Sequence, residues 1–427
     1  MPAAIVTRTE AAFTVQVEIP YNSSMLDFEE VIQQRLNEAG VLATAEALGR
    51  FDTDGSPIQV GDTKLTGKGK LKKEYQTPYG VAPVERHAYQ SSRGGKTYCP
   101  LDAHARIVIS STPKFAKMVS HKYAEFGSAR VTKDLAENHG RSVARCFVQD
   151  VTDAVSAVAL AREEDWEYTL PEPEEPTSTI TIGIDGTCPL MCEDGWRETM
   201  VGTIGFYDAE GDRQQTIYLG ATPEYGKATF LGRMEREIAR VKASHPSARY
   251  VGLADGAKGN WEFLGRHTEV QVIDFRHAAE YLSGAGDALF AGEPGARSPW
   301  LEASCHRLKH EDGAARQLVR DLKRLAAEKG VALGQPDLEA TLTYFTNPSK
   351  AGRMEYARLV EAHTPIGSGV TEAACKVLVK QRLCGSGMKW KVPGAAAVLS
   401  LRCLTYTTDR WSQFWSKIDR YGYPVAA

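Results

Sequence analysis

Three acidic residues far apart in the chain, Asp185, Asp255 and Glu372, stand where a fold could bring their carboxylates together. Asp185 closes the run Thr179-Ile-Thr-Ile-Gly-Ile184, whose β-branched residues favour a buried strand. Asp255 closes a second apolar run, Arg249 to Ala254, and is followed by Gly256 as Asp185 is by Gly186. Glu372 lies near the start of a stretch that Ser368 can cap and that reads as a helix to about Leu383. The positive end of that helix favours its ionised form. Three clustered carboxylates repel one another unless a cation is present. Mg2+ takes oxygen ligands and keeps several waters, so a few carboxylates suffice to hold it. Two such ions about 4 Å apart activate an attacking oxygen and stabilise a leaving one across a phosphodiester. The expected chemistry is phosphoryl transfer with two Mg2+ ions, or Mn2+, held by Asp185, Asp255 and Glu372. The chain has 54 Asp and Glu residues, so position and not residue type carries this expectation.

Cations accompany the third acid. Lys376 lies four residues after Glu372 and shares its helical face, where it can hold a phosphate. Lys376, Lys380, Arg382, Lys389, Lys391 and Arg402 meet no acid between Glu372 and Asp409, and Trp390 lies among them. All but Arg402 are candidate DNA-binding residues. A second basic group, Lys133, Arg141 and Arg145 with Arg130, rims a short helix (131–138), a His139-Gly140 turn and a longer helix from Ser142 to about Leu160. That pattern suggests a helix-turn-helix, the alternative being a helix pair that only packs a core. A third group, Lys64, Lys68, Lys70, Lys72 and Lys73, crowds a Gly-containing segment before a strand pair, 74–77 and 84–90. It reads as a solvated hairpin or as a phosphate-contacting arm. The eight cysteines include no C-x-x-C pair, which argues against a zinc ribbon or finger. Cys188 and Cys192 read as small buried thiols, with a metal role as the alternative.

The elements that must position these residues follow from size and patterning. A chain of 427 residues, 42% hydrophobic and 25% charged, suits a globular protein of two or three domains. No apolar run approaches the roughly 20 residues of a membrane span, and the N-terminal residues lack the apolar core of a signal peptide. The expected location is the cytoplasm. A net charge of −3 argues against a simple nucleic-acid coat, although local fields decide contact with phosphates. Residues 1–62 read as a mixed region with a strand from Phe13 and a helix from Asp27 to Ala39 ending before Gly40. Residues 63–162 hold the basic segment and the helix pair. The acidic, Pro-rich stretch 163–177 reads as a linker. Then come three antiparallel-type strands, an amphipathic helix with Phe230, Met234, Ile238 and Val241 inward, a strand, a short helix and a fifth strand ending at Asp274. That order of elements is the one found in ribonuclease H-like folds, in which the first and fourth strands are neighbours. The fold class is therefore α/β: a ribonuclease H-like catalytic domain over 178–277 and 364–427 with a helical insertion at 278–363, preceded by a mixed α+β DNA-binding region with helix-turn-helix. Gly284, Gly286, Gly292, Pro294 and Gly295 mark a loop at the start of the insertion.

At these residues the chain resembles the bacterial insertion-sequence DDE transposases, most closely the ISKra type, and more distantly the Mutator-like enzymes. The matching pieces are Gly183-Ile-Asp-Gly-Thr187, Ala254-Asp-Gly-Ala257 with Asn260-Trp261, Asp274-Phe-Arg-His277, Pro365-Ile-Gly-Ser-Gly-Val-Thr-Glu-Ala-Ala-Cys-Lys376 and Gly385-Ser-Gly-Met-Lys-Trp390. The likeness runs from about Leu71 to the C-terminus, and the last two motifs are its most specific part. It implies a metal-dependent strand transferase with Asp185, Asp255 and Glu372 as catalytic triad. Asp274 and His277 match an Asp-x-x-His signature and join the triad as catalytic-site residues, His277 orienting the scissile phosphate. Pattern alone makes His277 a helix-capping or core residue. The resemblance also implies end recognition by the N-terminal half, with the element's terminal inverted repeats and target DNA as partners. Holding two DNA ends requires a homodimer or a higher assembly. A structure-specific nuclease that hydrolyses without joining, and a DNA-binding regulator with a vestigial catalytic domain, are the competing readings. The three intact acids argue against the second of these.

Overall fold

The computed structural model describes residues 3–224, 227–255, 258–347 and 352–422. Gly256 and Ala257 of the second motif lie outside the described residues. The chain forms two compact units, one built from Met1–Tyr168 with Ser400–Thr405 and the stretch from Arg410 on, the other from Thr169–Leu399 with Tyr406–Asp409. Among the described residues no helix is long and apolar enough to cross a membrane.

The first unit opens with an antiparallel hairpin, β1 (Ala3–Arg8) and β2 (Phe13–Val17), and the helix α1 (Met25–Gly49). The Ser24 side chain accepts from Asp27 N at the start of α1, a cap worth about 1 kcal/mol. The helix does not stop before Gly40 but runs nine residues past it. The reason is tertiary: a Cβ at Gly40 would overlap the Tyr79 ring, so the glycine serves close packing and not termination. A four-stranded antiparallel sheet follows, ordered β3 (Ile58–Val60), β4 (Thr63–Gln76), β5 (Val81–Ser91) and β6 (Gly94–Tyr98). Next come α2 (Pro100–His104), α3 (Pro113–Glu125), α4 (Ser128–His139) and α5 (Arg145–Arg162). Gly140 takes the left-handed conformation that ends α4, and α5 begins three residues later than Ser142 would place it, with Ala144 and no side-chain bond at its cap.

The C-terminal residues depart from the domain division that sequence suggests. Leu401, Leu404, Phe414, Trp415 and Ile418 are buried in one apolar cluster with Val119, Leu135, Val151 and Val155. Arg402 is also buried there, donating to Ala124 O at 2.5 Å and Glu125 Oε2 at 3.2 Å. Burial of that apolar face assigns 400–405 and the residues from Arg410 to the first unit, not to the second.

The second unit is organised on a five-stranded sheet. Its strands are β7 (Thr179–Thr187), β10 (Thr199–Tyr207), β11 (Arg213–Ala221), β12 (Arg249–Ala254) and β13 (Val270–Ile273), with β8 (Leu190–Met191) and β9 (Gly195–Trp196) forming a separate small hairpin. The order across the sheet is β11-β10-β7-β12-β13. β10 is antiparallel to both neighbours, and β12 is parallel to β7 and β13. The first and fourth main strands are therefore adjacent. Between them run α6 (Ala228–Ser244), which buries Phe230, Met234, Ile238 and Val241, and after β12 the short α7 (Lys258–His267).

The following segment is helical from the outset. α8 (Phe275–Leu289) runs straight through Gly284 and Gly286, where a loop was expected. A Cβ on Gly286 would lie 3.1 Å from the Trp300 ring, so this glycine seats α9 (Pro294–His310). Then come α10 (Ala314–Lys329), α11 (Pro336–Thr346) and α12 (Tyr356–Glu361). These helices share one apolar core with the sheet, through Leu282, Leu308, Leu318, Leu338 and Tyr356. A helix over 369–383, α13, consists of α-helical Gly369–Ala374, π-helical Cys375–Lys380 and α-helical Gln381–Leu383. The last helices among the described residues are α14 (Val392–Tyr406) and α15 (Arg410–Tyr421).

Candidate active site

The sheet register sets the first two acids side by side. The last parallel pair between β7 and β12 is Gly183 with Leu253. Asp185 and Asp255 each lie two residues beyond it, on the same side of their strands by the two-residue period of the pleat. Contrary to the expectation from sequence, Asp185 does not end its strand: β7 continues to Thr187 because β10 still pairs with it, Val201 opposite Asp185. The third acid arrives on α13, which packs its first turn on β7 and β10. Thr371 and Thr203 share a hydrogen bond of 2.7 Å between buried hydroxyls, and a Cβ on Gly183 would overlap Thr371 Oγ1. The glycine is what lets the helix sit this close.

One open pocket of ≈ 620 Å³ is lined by Asp185, Asp255 and Glu372, with His277 and the lysines Lys376 and Lys380. Arg276, Glu280 and Cys375 line it too. The carboxylate oxygens are held by protein donors. Asp185 Oδ1 accepts from Gly186 N at 2.7 Å and Oδ2 from the Cys375 thiol at 3.4 Å. Burial, together with the adjacent Asp185 charge, pushes the Cys375 thiol well above its ordinary value, so it stays a donor. Glu372 Oε2 lies 3.4 Å from Arg276 Nη1, and Oε1 lies 3.2 Å from Ser368 Oγ. His277 Nε2 is 4.0 Å from Glu372 Oε1, and its Nδ1 is 3.4 Å from Glu280 Oε2. Among the described residues no group of three or more His, Cys, Asp and Glu side chains is close enough to hold a metal ion as it stands. In donor type the pocket fits a hard divalent cation, because its acids offer oxygens only. In spacing it is not assembled, and the oxygens of Asp185 and Glu372 lie against Arg276, Ser368, Cys375 and a backbone N–H.

Asp274 takes a different place from the one its motif suggests. It is 1% exposed and does not line the pocket. Its Oδ1 caps α8 by accepting from Arg276 N and His277 N at 2.5 and 3.1 Å, and its Oδ2 accepts from Ser368 N and Ser368 Oγ. It is a positioning residue, tying the start of the helix that carries His277 to the start of the helix that carries Glu372.

Other candidates divide by burial. Lys376 and Lys380 are exposed on the pocket rim, and Lys389 and Lys391 are exposed beyond it. Arg382 is buried, its guanidinium 5.0 Å from the ring centroid of the half-buried Trp390, so Arg382 does not present itself to DNA. Trp390 donates from Nε1 to Leu383 O at 3.0 Å, and its backbone bonds Leu190 and Cys192. This pair fastens the 384–391 segment to the β8–β9 hairpin. Arg141 is likewise buried and donates to Thr77 O at 3.0 Å and Gln76 Oε1 at 2.6 Å. It closes the β4–β5 turn onto α3 and is not a DNA contact. Lys133 and Arg145 are exposed. Cys188 and Cys192, expected to be buried, are exposed, whereas Cys375 is the buried thiol beside Asp185. Reading the sequence missed Arg276, Glu280 and Cys375 as pocket residues. Helical spacing was the available signal: Arg276 and Glu280 are four apart, and Cys375 is three after Glu372.

No protein-family model and no curated protein matches the chain. A solved structure with some likeness is the simian T-cell lymphotropic virus intasome in complex with PP2A regulatory subunit B56 gamma, at 10% identity over 60% of this chain and 75% of that one. Its TM-score is 0.16, so the likeness carries no argument.

Proposed function

We propose that the chain is a DNA strand transferase of the DDE transposase class, which cleaves DNA at the ends of a mobile element and joins the 3′-hydroxyl to target DNA. The observation that carries this reading is the single pocket to which Asp185, Asp255 and Glu372 come from three separate parts of the chain, with Lys376 and Lys380 on its rim. The strand order of the second unit supports a ribonuclease H-like assignment, and four of the quoted motifs supply residues that line the pocket: Asp185, Asp255, His277 and Glu372. Asp185, Asp255 and Glu372 would hold two Mg2+ ions, or Mn2+, which when bound supply an activated oxygen nucleophile and stabilise the leaving oxygen.

The remaining work falls to side chains of this protein. Lys376 and Lys380, exposed on one helix, bind the phosphates flanking the scissile bond. The π-helical segment Cys375–Lys380 sits where the helix passes Asp185, a form of irregularity that gathers at functional sites. His277, fixed at the start of α8 by the Asp274 cap, orients the scissile phosphate from the Glu372 side. Element ends and target DNA are the partners, a dimer or higher assembly on DNA is the working form, and the cytoplasm is its place.

Labelled element-end DNA incubated with a plasmid target and Mg2+ tests the reading. Joined products are expected from the native protein, and Asp185→Asn should abolish cleavage and joining while end binding persists. Strand transfer unchanged in that variant would reject the assignment. Cleavage without any joined product would make the protein a nuclease instead.

A further inference from the structure

The geometry points to the β4–β5 ribbon of the first unit as a phosphate-binding surface for duplex DNA, separate from the helix pair α4–α5. This rests on the DNA-directed function proposed above and names where the duplex is gripped. Charge is the first observation. Residues 63–98 hold eight Lys and Arg against two Glu, a balance of +6 in a chain whose net charge is −3, so the remainder carries −9. Such segregation costs self-repulsion, and a polyanion relieves it.

Placement is the second observation. β4 is 14 residues long and pairs with β5 from Leu65 to Gln76, with one extra residue of β4 between Gly67 and Lys70. That bulge leaves Lys68 outside the ladder, and Gly69 takes a φ of 90° that only glycine adopts freely. Beyond the bulge, Tyr75, Ala82 and Val84 are buried on the side where Ala45 and Leu48 of α1 pack. Lys70 and Lys72 alternate away from that side, opposite His87 and Glu85. Lys64, Lys68, Lys70 and Lys72 are all exposed. Lys72 meets Glu85 at only 4.0 Å, and the first three make no ion pair among the described residues. Asp62 and Glu74, at the two ends of the strand, are the other acids nearby in sequence.

The helix pair offers less. Arg141 is consumed inside the fold, and the exposed positions of α5 include Asp150 and Asp153, which repel phosphate. Beyond the bulge, where Lys70–Gln76 pairs with Val81–His87, the four-stranded sheet is only two strands wide, a size that the DNA major groove admits. Duplex DNA is therefore the occupant that the observations favour over a membrane surface or RNA.

The test is anisotropy of a labelled duplex of arbitrary sequence with full-length protein, without divalent ions, over a salt series. The set Lys64→Gln, Lys68→Gln, Lys70→Gln and Lys72→Gln should flatten the slope of log affinity against log salt by roughly 0.9 for each phosphate no longer neutralised, about 3 to 4 for four. Replacement of the same four by Arg should keep the native slope. An unchanged slope in the Gln set, or native protein that does not bind duplex, overturns the inference. So does a Gln set that loses only binding to phosphatidylserine vesicles or single-stranded RNA. The assay needs no catalysis. Native protein that binds through the ribbon yet never joins DNA sinks the strand-transfer reading and leaves this one standing.

Discussion

Asp274 and Ser368, 94 residues apart, meet through one buried carboxylate oxygen that accepts both the backbone N–H and the hydroxyl of the serine. The same hydroxyl lies 3.2 Å from Glu372 Oε1. The carboxylate therefore reaches the pocket acid through an intermediary. Ser368→Ala keeps the N–H bond and removes the hydroxyl bridge. It should cost about 1 kcal/mol of stability and weaken Mn2+ binding several-fold, read as a smaller Mn2+-induced rise in melting temperature. Asp274→Ala, which strips the α8 cap and leaves the buried Ser368 N–H without its acceptor, should cost about 3 kcal/mol or more. Melting unchanged by Asp274→Ala would remove the positioning role.

Gly183→Ala should act as a wedge. The added methyl would overlap Thr371 Oγ1 and lie 2.8 Å from Thr203 Oγ1, an overpacking worth about 1–3 kcal/mol. Because the wedge lies between β7 and the Glu372 helix, DNA cleavage should fall more than stability does. Thr371→Ala in the same chain should restore part of both, measured by denaturant unfolding and by cleavage rate. No recovery in the double variant would mean that the contact is not the cause.

Arg276 is 71% exposed and pairs with Glu372 and Glu280 at 3.4 Å each. An exposed pair of this kind contributes at most about 1 kcal/mol. Arg276→Gln should leave the melting temperature of the protein nearly unchanged. It should raise the affinity for Mn2+ a few-fold by removing a competing cation from Glu372. A fall in Mn2+ affinity, measured by electron paramagnetic resonance, would show that the guanidinium aids cation binding.

Arg141 and Lys133 should separate cleanly. Arg141→Ala removes a buried guanidinium that satisfies Thr77 O and Gln76 Oε1, and should cost about 2–4 kcal/mol. Lys133→Gln, at an exposed position, should stay within about 0.5 kcal/mol of the parent. Equal and small effects in thermal unfolding would contradict the burial of Arg141.

His121 stands 5.9 Å from the Trp411 ring, and burial holds its imidazole below the ordinary value. Glu125 pulls it upward, whereas Lys122 and Lys117 add to the lowering. The folded state thus favours neutral His121, and the unfolded chain binds the extra proton first as pH falls. Its contribution to stability is complete above the unfolded value of about 6.5 and shrinks below it. His121→Gln should flatten the loss of melting temperature between about pH 7 and pH 5, the range spanning that value. An unchanged profile would assign the acid sensitivity to His139 and His267, whose values burial lowers in the same direction.

What could be read from sequence was what neighbours in the chain decide. The β-branched run ending at Ile184, the Phe230, Met234, Ile238 and Val241 face of α6, and the acids beside glycines at 185 and 255 all depend on periodicity and turn chemistry over a few residues. Those local signals were enough to single out Asp185, Asp255 and Glu372, which line one pocket, whereas His277, which lines it too, stood out only through the Asp-x-x-His resemblance. They could not tell which polar residues would be covered. Asp274, Arg141, Arg382 and Arg402 look like surface charges in sequence and are buried, each with partners that folding brings from elsewhere. Gly40 and Gly286 look like stops and are contact points inside helices, because Tyr79 and Trp300 come to lie on them. Periodicity reports which face of an element is apolar, but the solvation of a charge depends on what packs over it, and only the tertiary structure supplies that.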